Sequence, residues 1–277
     1  MKILATVLTL LAVGSMVSAA PIVRTYKTST GTGAKETGLS FSASGLGNSG
    51  GATGVRIGKT SAAGCSLFDF GDEAAMRTNL LTDCQAQGFG TVQAAIDAGA
   101  VTVQFFGMAR ETDAVKQVKV GVFEAGIVWP EGSGTDADVA ITAGTGPCWK
   151  WATYDPVGGA NVAWKNNGGA NLTDITGLTV TDSTTKFSGF VASGWSSVVL
   201  DTSVWQTYMY STAVGPGLIT RPDGGAFVND NVRFYTKEQN SSSSPYLLVT
   251  VNAVPEPAVL GFLGIGLAGL FGLRRRR

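Results

Sequence analysis

Histidine is missing from all 277 residues of this chain. No Ser-His-Asp or Cys-His catalytic arrangement can be built without it. Histidine-ligated zinc, copper and non-haem iron sites are excluded as well. Carboxylate chemistry, oxygen-ligated calcium and plain binding remain. Charge is scarce too: charged residues make up 14% and the formal net charge is zero. No basic patch occurs before the last four residues, so nucleic acid is not an expected partner. Cysteine is limited to Cys65, Cys84 and Cys148. An oxidising compartment permits one disulfide among three thiols. Cys65 and Cys84, the nearest pair in sequence, are the favoured partners, and three separate buried thiols are the alternative. Long apolar runs are confined to the two ends of the chain.

The N-terminal run reads as a secretory signal peptide over residues 1–19. Lys2 supplies the positive start, Ile3 to Val13 the apolar stretch, and Val17-Ser18-Ala19 the small-residue cleavage site. Cutting after Ala19 is favoured over cutting after Ala20, because Pro21 is a poor residue to follow a cut. The Sec machinery and signal peptidase are the implied partners.

The C-terminal run has three parts in order. Val254-Pro255-Glu256-Pro257 forms a turn, residues 258–273 are apolar and glycine-spaced, and Arg274, Arg275, Arg276 and Arg277 close the chain. About sixteen helical residues reach roughly 24 Å, a little short of a ~30 Å hydrocarbon core. Local thinning and arginine snorkelling can make up the difference. The arginines would stay on the cytoplasmic side, placing the body of the chain outside it. This tail, residues 253–277, resembles the PEP-CTERM sorting signal of Gram-negative bacteria. The resemblance implies an exosortase that cuts near Pro-Glu-Pro, a membrane-anchored intermediate, and a final place at the cell surface or outside the cell.

Residues 20–252 form the body, enough for one large all-β domain. Glycine is abundant, at 38 residues, and with many Thr, Ser and Asn it suits strands and turns. Thr25 to Gly54 is Gly/Ser/Thr-rich and reads as a loose start. Strands are predicted at Gly54–Gly58, Ser66–Phe70, Val101–Phe106 and Val115–Phe123. Others are predicted at Gly177–Thr181, Lys186–Val191, Ser196–Asp201, Gly225–Tyr235 and Tyr246–Val251. Asp72 to Gln87 breaks the pattern: Met76, Leu80 and Cys84 recur on one helical face, with Leu81 beside them. Val204, Trp205 and Tyr208 suggest helical turns after Asp201. The predicted fold is all-β, an antiparallel β-sandwich or jelly roll with a short helical insertion. A signal peptide and a transmembrane sorting helix flank it.

A second resemblance covers the body. Gly47-Asn48-Ser49-Gly50 with Val55-Arg56-Ile57-Gly58, Ser66 to Phe70 and Ala100 to Val103 match in order. So do Trp129-Pro130-Glu131, Cys148-Trp149-Lys150 with Tyr154-Asp155, Trp164 with Gly168-Gly169, and Leu200-Asp201-Thr202. Phe234 to Glu238 and Pro245 to Val251 complete the set. These pieces resemble the DNRLRE-type sandwich domains, extracellular modules related to carbohydrate-binding modules. The helix at Asp72 to Gln87 and Thr202 depart from that pattern.

Three functions compete. The first is a non-catalytic surface or matrix protein that binds exopolysaccharide. Flat tryptophan faces at Trp129, Trp149, Trp151 and Trp164 are the candidate sugar platforms, against the alternative that they pack the core. The second is a glycan-active enzyme using Glu131 and Asp155, whose separation would decide between retaining and inverting chemistry. The third is a calcium-stabilised module, with Asp136 and Asp138 alternating like the start of an oxygen-ligand loop. The first is the expectation: not an enzyme, with no cofactor required.

Overall fold

The computed structural model describes residues 19–40, 47–48, 50–51, 54–57, 64–112, 117–133, 146–155, 158–166, 170–212, 214–223 and 232–254. Residues 1–18 of the expected signal peptide, the span 258–273 and the arginine tail lie outside these residues. Among the described residues no helix is long and apolar enough to cross a membrane.

The described chain is mostly β. One sheet runs β1 (Ile22–Lys27), β14 (Tyr246–Val251), β6 (Val101–Thr112), β13 (Val232–Tyr235), β4 (Gly54–Ile57), and β11 (Gly194–Val199) also pairs with β6. The other runs β10 (Val180–Asp182), β7 (Val118–Glu124), β12 (Pro216–Pro222), β5 (Gly64–Asp69), β2 (Lys35–Ser40), β3 (Gly47–Asn48). A short hairpin joins β8 (Trp151–Thr153) to β9 (Val162–Ala163). The pairings of β11 with β6, of β7 with β12 and of β2 with β5 are antiparallel. Along β6, Val103 and Phe105 are buried, and along β7, Val118, Val120 and Val122 are.

The two sheets meet through aromatic rings. Phe68 of β5 lies 5.2 Å from Phe105 of β6, and Phe234 of β13 lies 5.4 Å from Phe187. Tilted and edge-to-face pairs of this kind add to the area they bury. A second apolar cluster gathers Leu39, Cys65, Leu67, Phe123, Trp129, Trp149, Trp164 and Ile219.

Several expectations are corrected here. Lys186–Val191 is not a strand; only Phe187 bridges to Val118, and Gly189 turns away with φ +71°. Gly177–Thr181 is divided between a 3-10 turn, Ile175–Gly177, and β10. The loose-looking start of the body contains β1 and β2. Strand β12 and the helix Val92–Asp97 were not anticipated. Of Gly225–Tyr235, residues 232–235 are strand and the rest lies outside the described residues. All three cysteines are free, buried thiols. Cys65 sits in the interior of β5, where every residue is buried.

The chain divides into two compact units. One contains Leu81–Val101 with residues 19–22 and 250–254; the other contains Val23–Leu80 and Thr102–Val249. The predicted helix is present as α1 (Glu73–Ala86), with Asp72 Oδ1 accepting from the Ala75 amide at its start. Met76, Leu80 and Cys84 are buried as expected, but Leu81 is exposed. In the smaller unit α1 ends at Gly88, with φ +90°. The Phe89 amide donates to Cys84 O and the Gly88 amide to Gln85 O, a Schellman closure that needs the left-handed residue glycine supplies. The next helix, α2 (Val92–Asp97), is capped by Thr91, whose Oγ1 accepts from Ala94. It ends the same way at Gly99, with φ +65°. The third helix, α3 (Thr202–Tyr210), buries Val204, Trp205, Tyr208 and Met209 against the larger unit's strands.

Candidate functional site

Strand alternation decides which aromatics reach solvent. In β11, Trp195, Ser197 and Val199 point one way and Val198 the other; Val198 is buried while Trp195 and Val199 are 40% and 44% exposed. Their register partners on β6 are Met108, Phe106 and Gln104. Directly paired residues lie on the same face of a sheet, so these six side chains share the outward face. Tyr246 joins them from β14, outward between buried neighbours. Its ring stacks on Phe106 at 4.6 Å and 7° and meets Trp195 edge-on at 5.0 Å. The result is a strip of three aromatic rings crossing three adjacent strands, with the Gln104 amide and Ser197 hydroxyl alongside. A flat, partly exposed aromatic surface flanked by a few polar groups suits a ligand with both apolar C–H faces and hydroxyls.

The tryptophans singled out from the sequence lie elsewhere. Trp129 and Trp164 are fully buried and Trp149 is 3% exposed. Trp164 donates its indole N–H to Cys148 O at 2.9 Å, and Trp129 lies under Lys35, whose Nζ is 4.6 Å from the ring. These three lie in the core, with no exposed face to stack on a sugar. Trp151 is half-buried on β8. Trp195, Phe106 and Tyr246 were missed as a site. The available signal was the alternation Trp195, Ser197, Val199 against Val198, which reads correctly only once Val198 is known to face the core.

The candidate carboxylates have other occupations. Glu131 accepts from Lys237 Nζ at 2.8 Å and from the Glu36 amide at 3.2 Å. Asp155 lies in a loop where its own amide donates to Asn161 Oδ1. The carboxylate beside Glu131 is Glu36, which is fully buried and accepts from the Lys237 amide. Burial pushes the Glu36 carboxyl up to about 7, against the hydrogen bonds from Lys237 and Thr28 that pull it down. Lys35 bridges to Asp69 at 3.3 Å, and Asp69 accepts from Tyr208 Oη. This is a buried polar network holding β2, β5, the Trp129–Glu131 loop and the segment after β13 together. Among the described residues no group of three or more Cys, Asp or Glu is placed to hold a metal. The calcium candidates Asp136 and Asp138 lie outside the described residues.

The chain ends meet the smaller unit. Ala19 and Ala20 are exposed, and Gln87 Nε2 donates to Ala20 O at 2.7 Å. At the other end the Val254 amide donates to Gln87 O at 3.1 Å. Pro255, Glu256, Pro257 and Arg274 to Arg277 lie outside the described residues. A family model described as the PEP-CTERM protein-sorting motif matches residues 253–277. The chain carries an exosortase sorting signal. That PEP-CTERM motif assigns export, a membrane-anchored sorting intermediate and exosortase as the processing partner. It begins where the described stem leaves Gln87. Comparison with curated proteins gives no match.

Proposed function

We propose that the sorted body is a non-catalytic surface module that holds exopolysaccharide on the outward aromatic strip of Trp195, Tyr246 and Phe106. The observation that carries this reading is the position of the strip: the Tyr246 ring touches both Phe106 and Trp195 on the outward sheet face, where Trp195 is 40% exposed. Sugar rings present C–H faces to aromatic π-surfaces, and hydroxyls to neighbouring amides and hydroxyls such as Gln104 and Ser197. The two facing antiparallel sheets and the resemblance to DNRLRE-type sandwich modules support the same role. A signal peptide cut after Ala19 delivers the chain through the Sec machinery, and the tail hands it to exosortase for the cell surface or matrix. The commitments of Glu131 to Lys237 and of Glu36 to a buried amide favour binding over carboxylate hydrolysis, since neither group is poised against a ligand.

The test uses the full chain purified in its exported form, titrated with extracellular polysaccharide from the producing bacterium, with calcium and with chelator. Saturable binding that weakens at least about tenfold, roughly 1.4 kcal/mol, in Trp195→Ala is expected. Chelator is expected to change nothing. Absence of binding by folded protein, or binding indifferent to Trp195→Ala, overturns the reading.

A further inference from the structure

Gln87 is 5% exposed, and its Oε1 is buried with no hydrogen-bond partner among the described residues. Its Nε2 is used, donating to Ala20 O. Buried polar atoms are nearly always satisfied, and each exception calls for a reason. The neighbourhood of this one is negative in three respects. Gln87 follows the last residue of α1, where the helix dipole and free carbonyls favour a cation. Asp83, a buried carboxylate, stands one turn earlier on the same helix, and its carbonyl accepts the Gln87 amide. The described residues of this unit, 19–22, 81–101 and 250–254, contain Asp83 and Asp97 and no lysine or arginine.

Processing creates a cation at this place. Removing the signal peptide adds water across the Ala19–Ala20 peptide bond. Ala19 leaves with the new carboxylate, and Ala20 keeps the amine, protonated below its ordinary value of about 8. We propose that Gln87 is the seat of this new α-ammonium, with Oε1 accepting from it while Nε2 holds the Ala20 carbonyl. The turn that carries Gln87 thereby holds both the mature N-terminus and the sorting stem. The stem side is on the same residue: Gln87 O accepts from the Val254 amide. Val254 also packs on Gly88, where an added Cβ would lie 3.2 Å from its Cγ2. Two residues earlier the Asn252 amide donates to Ala100 O at 2.9 Å. Completion of the N-terminal seat firms up the stem from which Pro-Glu-Pro departs. This inference rests on the signal-peptide reading, not on polysaccharide binding.

The groups that could bias the amine are few. Among the described residues of this unit they are Asp83 and the Cys84 thiol on α1 and Asp97 on α2. The experiment takes the full chain exported by a bacterial host that has signal peptidase and lacks exosortase. N-terminal sequencing is expected to begin at Ala20. Acylation of the α-amine at pH 7.5, followed by mass spectrometry, is expected to run about tenfold slower in the native protein than in Gln87→Leu, the effect of about one pKa unit. Gln87→Glu is expected to slow it further by adding a charge. Amide exchange at Val254 is expected to quicken in Gln87→Leu. Should Gln87→Leu not fold, the comparison is native wild type against wild type in denaturant, with Gln87→Glu as the second variant. An N-terminus elsewhere, or an amine labelled at the same rate with and without the seat, overturns the proposal. Unchanged exchange at Val254 overturns the coupling to the stem. A failed polysaccharide titration bears on neither result.

Discussion

Glu36 is the residue at which solvent conditions reach the core most directly. Its ordinary value is 4.5 and burial raises it to about 7 in the folded chain. The folded state therefore prefers the protonated form. Its contribution is fully present below about 4.5 and is lost as pH rises through about 7. The difference corresponds to about 3 kcal/mol. Denaturant melts should show stability falling across that window, and Glu36→Gln should flatten the curve by stabilising the protein at pH 8 with little effect at pH 4. A wild-type curve that rises from pH 5 to 8 would contradict this. The cysteines are residue-scale features of the opposite kind. Burial pushes the Cys65 thiol up to about 12, and Cys84 and Cys148 are raised for the same cause. A thiol held protonated and out of reach is inert. A thiol-specific reagent should find none of the three in native protein and all three after denaturation; two fewer after denaturation would restore a disulfide. A count of three cysteines in an exported chain could not separate these cases, because pairing depends on whether side chains meet across the fold.

Elements show where pattern was sufficient and where it was not. The spacing of Met76, Leu80 and Cys84 located α1 because a helix with one buried face leaves that period in the sequence. Strand β12 left none. Pro216, Gly217, Leu218, Ile219, Thr220, Arg221 and Pro222 are flanked by prolines that read as breakers, and residues 217–220 are buried on both faces, which erases alternation. Strand β2 was hidden because Lys35 and Glu36 look like loop charges, while the fold buries Glu36 and pairs Lys35. At α3 the cap is also unexpected. Asp201 makes no side-chain bond to its own helix. Its carboxylate accepts from Ser183 Oγ and from the Thr184 amide and hydroxyl. Burial alone would raise its carboxyl, but these bonds together hold it below the ordinary range. Asp201→Ala should cost about 1–2 kcal/mol by orphaning those donors, and Asp201→Asn, which still accepts, about half. Thermal melts of the two variants check it; equal losses would assign the effect to charge alone.

For the whole molecule, the C-terminal sorting tail was more legible than the middle. Sorting signals are read by enzymes as linear patterns, so their meaning survives without a fold. A binding face exists only after strands are registered. Composition supplied six tryptophans, and the register of β11 against β6 places Trp195 on the outward face, at one end of a ring strip whose central member is Tyr246. The division of labour among them can be measured on two variants. Trp164→Ala removes a fully buried ring and the indole bond to Cys148 O, and large-to-small changes of this kind cost about 3–5 kcal/mol. Its melting temperature should fall by many degrees, while the protein that remains folded keeps its polysaccharide affinity. Trp195→Ala removes a side chain already 40% exposed, so its melting temperature should move little while affinity falls. If affinity instead tracks stability in both variants, the strip is not a binding face, and the loss in Trp195→Ala belongs to the packing of Tyr246 on Phe106.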